Sequence, residues 1–353
     1  MRFHNKLTKE KIARRAKKHG YHNWLRRRFH TGQIVRRSVI IEAPSIFSFS
    51  RNYEATAGCL HQLKCAALHP PKDKRVRRYV SIDFATIKEI STAAALILSA
   101  EIYRWKKIKR VPLRPRNIGK WDPAVKRLLV EIGFFDLLEV GRPALIESED
   151  PQRDVTLLPL VTGNTLDRPK LALIEDHLRE IARAFEQEPS IYMALTEAAY
   201  NTIRHGYPDG YEFKFPTLKD QWWATGSWSP ASSKVRLILY DQGVGIAETL
   251  PTWDHWEDLT KWLSSKHPLL SQVFKEHANM IEAALEVSRT SLTSGHGQGL
   301  KDVVSPVDQL GGGSVRILSG KGQVLYEFGG KIAKIEMSQH LGGTLIEWTI
   351  PVP

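Results

Sequence analysis

Residues 195–210 read LTEAAYNTIRHGYPDG and place Glu197, Asn201 and His205 four positions apart. On a helix this spacing puts the three side chains on one face, with the carboxylate beside the carboxamide. Such a pair suits a magnesium–nucleotide site, because a Glu can orient or deprotonate an attacking oxygen and an Asn can donate a hard oxygen ligand. Many solvated helices also carry a Glu and an Asn four apart, so this stretch alone fits both interpretations.

The apolar run VRLILY ends at Asp241 and is followed by the turn sequence DQGVGI. The run predicts an interior strand, the second of a β-hairpin over residues 219–241. Gly243 and Gly245 leave the backbone after it bare, so a carboxylate and open backbone meet at one edge of the sheet. This arrangement suits the amino group of adenine, although Asp-x-Gly-x-Gly is also a common turn signal.

Two further glycine clusters follow. The sequence GHGQGL contains Gly295, Gly297 and Gly299, ends at Leu300 and runs into a helical pattern. Glycines ahead of a helix N-terminus leave several amides pointing at one place, which is an anion site suited to a triphosphate. Near the end of the sequence, GGT opens the strand LIEWTIP, where the Thr344 hydroxyl would complete an adenine pocket.

The order and spacing of these motifs resemble the ATP-binding domain of the GHKL superfamily. ExxxNxxxH, DxGxGI, GxGxGL and GGT correspond to the N, G1, G2 and terminal Thr motifs of that group, over about residues 165–353. Within the group, LTEAAYNTIRHGY is most similar to the anti-sigma-factor serine kinases. The resemblance implies a Bergerat-type α/β sandwich, with helices on one face of a mixed sheet and ATP held beneath a mobile lid.

The resemblance also implies a role for each matching residue. Asn201 would bind Mg²⁺, Glu197 would act as the general base, and Asp241 would bind the adenine amino group with help from Thr344. His205 would frame the site, or serve instead as a core or capping histidine. The remaining nucleotide contacts would come from Gly243, Gly245, Gly295, Gly297, Gly299 and Leu300.

The long interval between the two glycine motifs is predicted to hold the lid, at about residues 250–298. It contains three tryptophans and two helical patterns. Closure over the phosphates is one interpretation of this segment. An added structural hairpin that docks a partner is the other.

Residues 38–148 have the pattern of a smaller α/β unit. Strand patterns at 38–50 and 77–84 alternate with helical patterns over 53–69, 91–107 and 122–131. This order, and VSIDFATIKEISTAAALIL in particular, resembles the STAS domain, which is the partner of the anti-sigma-factor kinases. The Asp-Ser pair of that family is not clearly present, and Ser91, in its neighbourhood, is predicted to cap the following helix.

Cys59, His61, Cys65 and His69 fall within eleven residues. A tetrahedral zinc site needs ligands that converge from at least two chain segments. We therefore expect these four residues to be buried or capping side chains of one helix.

The net charge of +13 is concentrated in residues 1–37, which hold thirteen Lys and Arg residues against Glu10 alone. Such an extension would attract nucleic acid or another acidic partner in a salt-dependent way, with Tyr21, Trp24 and Phe29 available to stack on bases. A role in solubility and a presequence-like role are the alternatives.

The composition, 42% hydrophobic and 25% charged, is that of a globular protein, and 353 residues are too many for one typical core, which predicts two domains. No apolar run approaches the ~18 residues of a membrane span, and two cysteines do not make a disulfide framework. We therefore expect a cytoplasmic protein with a basic extension over 1–37, a STAS-like domain over 38–148 and an ATP-binding domain over 149–353.

Two functions remain from the sequence. In the first, the chain uses ATP and Mg²⁺ as an ATPase or as a protein serine/threonine kinase. In the second, it is an ATP-dependent switch or binding module with slow or absent turnover. ATP would change its lid or homodimer state, and the basic extension would contact nucleic acid or a protein partner. The presence of Glu197 favours the first.

Overall fold

The computed structural model describes residues 35–68, 76–109, 116–143, 155–165, 168–170, 172–173, 176, 189–266, 274–290 and 299–351. Nearly all of the basic extension and most of the helical pattern over 171–187 lie outside these ranges. His69, Gly295 and Gly297 also lie outside them, and what the sequence predicts for these segments stays a prediction. Among the described residues, no helix is long and apolar enough to cross a membrane.

The first part of the chain forms a small α/β unit. Strand β1 (Val35–Glu42) pairs in parallel with β3 (Val76–Asp83), and β2 (Ile46–Phe47) pairs in parallel with β4 (Glu89–Ile90). The helices of this unit are α1 (Tyr53–Leu68), α2 (Thr92–Lys109), α3 (Pro123–Glu131) and α4 (Phe134–Leu137). The predicted cap is confirmed, because Ser91 Oγ accepts a hydrogen bond from Ala94 N at 3.2 Å.

A seven-stranded sheet follows and carries the candidate site. Its strands in chain order are β5 (Thr156–Gly163), β6 (Trp222–Ser229), β7 (Lys234–Asp241), β8 (Ser314–Ser319), β9 (Gly322–Glu327), β10 (Lys331–Glu336) and β11 (Thr344–Pro351). Across the sheet the order is β10-β9-β8-β11-β7-β6-β5. The predicted hairpin over 219–241 is confirmed as the antiparallel pair β6 and β7.

The prediction of a mixed sheet is wrong for the described strands, because every pairing among these seven is antiparallel. The reason is the position of β11. It lies between β7 and β8 and runs antiparallel to both. Strands β7 and β8 run in the same direction, and β11 between them prevents a parallel pairing of the two.

Helices cover both faces of this sheet. The helices of the second part are α5 (Pro189–Asn201), α6 (Ile246–Thr249), α7 (Trp256–Lys266), α8 (His277–Thr290) and α9 (Leu300–Gln309). Helices α5, α8 and α9 share one core with Trp222, Leu237 and Leu239. Helix α2 of the first unit packs against β6 and β7, where Trp223 and Ile238 belong to the other core.

The described helices α5, α8 and α9 of the second part thus pack on one face. The first α/β unit covers the other face, and the sequence did not predict this cover. Successive side chains of a strand point to opposite faces. Because both faces of β7 are covered, both sets of its side chains are buried from Leu237 to Asp241. This explains why the four residues Leu237–Tyr240 are continuously apolar instead of alternating with polar ones.

The segment predicted as a lid contains α7 and α8. Helix α8 packs on β9 and β10, and its Ile281 and Leu285 are completely buried. A lid that opens over all of 250–298 would have to pull these two side chains out of the core. Helix α8, the second helix of the predicted lid, is therefore part of the packed core beside the sheet.

Candidate functional site

A cavity of about 570 Å³ lies between α5, the turn after β7 and the start of α9. This volume is in the range of small-molecule and cofactor sites. Residues from the four sequence motifs meet in it, namely Glu197, Asn201, His205, Asp241, Gly245, Gly299, Leu300 and Thr344. The structure therefore brings together all the predicted site residues that it describes except Gly243, which is not among the lining residues.

Asp241, at the end of β7, is 5% exposed. Its Oδ1 accepts hydrogen bonds from Gly243 N at 2.8 Å and from Thr344 N at 3.2 Å. Its Oδ2 lies 3.3 Å from the Thr202 hydroxyl, which can donate instead to Ala198 O at 3.1 Å. Burial raises the pKa of Asp241 to about 6, against the lowering effect of these three donors.

A carboxylate offers about four acceptor positions. Three donors are directed at Asp241, and one of them has a second acceptor within reach. At least one acceptor position at Oδ2 is thus left for a donor inside the cavity. An exocyclic amino group is a donor of the kind that this position would take.

Thr344, at the start of β11, is joined to the turn on the other side of the cavity. Its Oγ1 lies 2.9 Å from Ser319 Oγ, and Ser319 Oγ accepts a hydrogen bond from Ile246 N at 2.8 Å. These contacts tie β8 and β11 to the backbone that follows Gly245. The Thr344 hydroxyl is therefore oriented before any ligand binds.

Helix α5 forms because apolar residues recur at Ile191, Ala194, Leu195 and Ala198, which is one face of a helix, and this face packs in the core. Glu197 lies beside that face, is half-buried and lines the cavity. A carboxylate at this boundary can reach a ligand without being fully desolvated.

Asn201, at the end of α5, faces the backbone that precedes α9. It is half-buried, and a methyl group at Gly299 would lie 3.8 Å from its Nδ2. Glycine at position 299 has a φ of 34°, in the left-handed region that a side chain disfavours. The Asn201 carboxamide and the open backbone at Gly299 therefore border the same end of the cavity.

The helix predicted to run through His205 does not continue regularly. Residues Thr202–Gly206 form a π turn, a feature that is frequent at functional sites. Its last carbonyl, Gly206 O, accepts a hydrogen bond from Val244 N at 2.9 Å. Gly243 lies so close that a methyl group there would be 2.3 Å from Gly206 O.

His205 lines the cavity from this π turn, with part of its surface exposed to solvent and part covered. Partial burial and the charge of Arg204 lower its pKa, and Asp254 opposes them. A neutral imidazole at pH 7 follows, which can frame a ligand or exchange a proton. Arg204 itself donates to Tyr200 Oη at 3.2 Å.

Several lining residues were not predicted. Thr202 lines the cavity and contacts Asp241, and Trp253, Asp254 and His255 contribute to the wall. Ser319 is not among the lining residues, but its hydroxyl bonds the Thr344 hydroxyl. Ser319 has a sequence signal, because it is a polar residue that ends the apolar strand β8. Thr202 follows Asn201 directly, and the sequence does not distinguish it from any other helical Thr.

Among the described residues, no group of three His, Cys, Asp or Glu could hold a metal ion. Mg²⁺ bound with a nucleotide is usually held by one or two protein groups, with phosphates and waters supplying the other ligands. The side-chain oxygen of Asn201 fits that requirement.

Cys59, His61 and Cys65 lie on α1 and are not among the residues that line the cavity. Burial raises the pKa of Cys59 to about 12, and Cys65 Sγ lies 3.4 Å from His61 Nε2.

Comparisons of the chain with protein-family models, with curated proteins and with solved structures found no match.

Proposed function

We propose that this chain binds ATP with Mg²⁺ and acts as an ATPase or protein serine/threonine kinase of the GHKL type. One observation carries the proposal. Glu197, Asn201, Asp241 and Thr344 come from three distant segments of the chain and line a single cavity of nucleotide size. Asp241 would accept a hydrogen bond from the adenine amino group through its remaining acceptor position.

The two residues of α5 would act at the phosphate end. Asn201 would hold Mg²⁺ through its side-chain oxygen, and the metal would offset the negative charge of the phosphates. Glu197 would accept the proton of the attacking oxygen, from water in an ATPase or from a Ser or Thr hydroxyl in a kinase. The anion-binding glycines would include Gly299, together with Gly295 and Gly297 outside the described residues.

The test uses the purified chain with Mg²⁺ and ATP labelled on the γ-phosphate, and follows free phosphate and labelled protein separately. Glu197→Gln should lower turnover by roughly a hundredfold or more, the usual scale for loss of a general base, while ATP affinity changes little. The matched control is Glu248→Gln, since Glu248 is an exposed carboxylate on α6 outside the cavity lining.

The two products that carry the label, free phosphate and protein, distinguish the activities. Phosphate release alone would indicate an ATPase, and label on protein that disappears in Glu197→Gln would indicate a kinase. ATP binding with neither signal would refute the enzyme and leave a nucleotide-dependent switch. No ATP binding by the wild-type chain would refute the proposed function as a whole.

A further inference from the structure

A buried charged cluster lies behind the candidate site, in the first α/β unit. It consists of Lys64 on α1 with Glu101 and Arg104 on α2, and their side chains are 6%, 0% and 3% exposed. Lys64 Nζ lies 3.3 Å from Glu101 Oε1, and Arg104 Nη2 lies 2.5 Å from Glu101 Oε2. The cluster thus holds two cations and one anion away from water.

Two hydrogen bonds connect the buried cluster to the sheet that carries the site. Lys64 Nζ donates to Leu341 O at 3.0 Å, and Gln242 Nε2 donates to Glu101 Oε1 at 3.1 Å. Gln242 directly follows Asp241, and Leu341 directly precedes the GGT motif. One bond therefore ends on the backbone before the GGT motif, and the other on the side chain next to the carboxylate expected to bind adenine.

The GGT turn controls where that carboxylate lies. Gly342 and Gly343 have φ angles of 87° and 125°, and a methyl group at Gly343 would come within 1.9 Å of Asp241 O. Thr344 N, at the end of the turn, donates to Asp241 Oδ1. A shift of the turn would move the carboxylate and the Thr344 hydroxyl together.

The turn is held from two sides. Tyr240 Oη, from the sheet, donates to Gly342 O at 2.9 Å. Lys64, from the first α/β unit, lies so close that a methyl group at Gly342 would be 2.5 Å from its Nζ. Lys64 therefore fits against a glycine backbone and bonds the neighbouring carbonyl.

Fold stability alone does not account for such a cluster. Taking charges out of water costs free energy, and well-packed apolar residues often replace a buried ion pair without loss of stability. Two buried atoms at this junction, Arg104 Nε and Gln242 Oε1, have no hydrogen-bond partner among the described residues. Burial also lowers the pKa of Lys64, and Glu101 opposes this effect.

We propose that the first α/β unit is a positioning part of the adenine subsite. Lys64 and Glu101 hold the 341–344 turn and Gln242, and in this way they set the selectivity of the cavity for adenine over other purines. The inference rests on the proposed function, because it concerns the same cavity. The inference adds a role for the first α/β unit, which resembles the STAS domain. This unit would be required for the preference of the cavity in the same chain for adenine.

The experiment compares the dissociation constants of ATP and inosine triphosphate, in which an oxygen replaces the exocyclic amino group. In the wild-type chain, a hydrogen bond to a charged acceptor should favour ATP by roughly tenfold or more. Lys64→Met keeps the length of the side chain and removes its ammonium group. We expect this variant to lower the preference for ATP to about threefold or less. The tenfold preference depends on one hydrogen bond to the Asp241 carboxylate, and a shift of the 341–344 turn would weaken that bond.

Glu347→Gln is the matched control. Glu347 pairs with Arg316 between β11 and β8, both side chains are 14% exposed, and neither residue lines the cavity. Loss of this pair should lower thermal stability and leave the preference for ATP unchanged. A Lys64→Met variant that is folded and keeps the wild-type preference would overturn the inference.

Glu101→Gln gives a second test if Lys64→Met does not fold. It keeps the shape of the side chain and an acceptor for the Gln242 amide, but removes the charge that holds the Lys64 ammonium. The ATP preference should again fall, and an unchanged preference would overturn the inference. Wild-type protein that binds neither nucleotide would instead overturn the proposed function and this inference together, so the two failures can be told apart.

Discussion

Asp241 is ionised in the folded protein only at some cost. Its pKa rises from the ordinary 3.8 to about 6 because burial outweighs the three hydrogen bonds that favour the charged form. Between these two pH values the folded chain holds a proton that the unfolded chain has released. The folded state is therefore favoured at low pH, and this contribution is lost as pH rises through about 6.

Stability measurements against pH test this property of Asp241. Wild-type protein should lose about 2 kcal/mol of unfolding free energy between pH 4 and pH 7 relative to Asp241→Asn, since one pKa unit corresponds to about 1.4 kcal/mol and part of the loss already occurs below pH 4. The variant is nearly isosteric and carries no charge, so it cancels the contributions of all other groups. Chemical denaturation at several pH values gives the comparison. Parallel curves would contradict the raised pKa.

Nucleotide binding should show the opposite pH dependence. The ionised carboxylate is the better acceptor for an amino group, so ATP affinity should rise as pH increases through about 6. Below that pH the affinity should fall by up to about tenfold per unit, as linkage to one proton requires. Titration calorimetry of wild type and Asp241→Asn measures it, and the variant should bind weakly at every pH. A wild-type affinity that is independent of pH from 5 to 7 would argue against a direct role for Asp241.

At the scale of elements, the π turn after α5 and the turn after β7 lock together through two glycines. Gly243 has no room for a side chain, because its methyl group would meet Gly206 O at 2.3 Å. Gly206 has that room, since its methyl group would meet atoms only at 3.8 and 3.9 Å. The contact is asymmetric, which provides a matched pair of variants.

Gly243→Ala should separate the two turns. We expect it to destabilise the protein by about 3 kcal/mol or more, in the range of disruptive overpacking, and to weaken ATP binding. Gly206→Ala should change stability by about 1 kcal/mol or less, because alanine suits a helical backbone. Thermal unfolding of both variants gives the comparison. Equal effects would show that the close contact does not hold the two turns.

At the scale of the whole molecule, the first α/β unit covers the second face of the large sheet. Trp223, Ile238, Tyr240, Leu318 and Leu345 share one core with α1 and α2 and are at most 1% exposed. A fragment of residues 149–353 would expose all five side chains to water. Its sheet would then present a broad apolar patch, which promotes association.

We therefore expect the fragment 149–353 to aggregate, or to bind hydrophobic dyes, under conditions where the full chain is monodisperse. Light scattering and dye fluorescence measure this, with the full chain as the control. Apolar burial contributes about 25 cal/mol per Å², so the loss of this interface should also lower the unfolding temperature of any soluble fraction. A monodisperse fragment with the stability of the full chain would show that the first α/β unit is not needed to cover the second face of the sheet.

The sequence predicted local features better than distant contacts. The β6–β7 hairpin, the Ser91 cap and the motif residues around Asp241 each depend on a short stretch of residue types. The bond from Thr202 to Asp241 spans 39 residues, and the bond from Lys64 to Leu341 spans 277. A Thr on a helix or a Lys in an apolar helix has no local signal for such a partner. The antiparallel order of the sheet had none either, because it depends on where β11 inserts.

The central position of β11 also affects how the chain reaches this structure. β11 is the last strand of the sheet along the chain, yet it alone joins the group β5, β6 and β7 to the group β8, β9 and β10. Until β11 is added to the sheet, the inner edges of β7 and β8 have unpaired backbone groups. Such edges recruit other strands. We expect the nascent chain to depend on chaperones until β11 closes the gap, and the nucleotide cavity to form only in that last step.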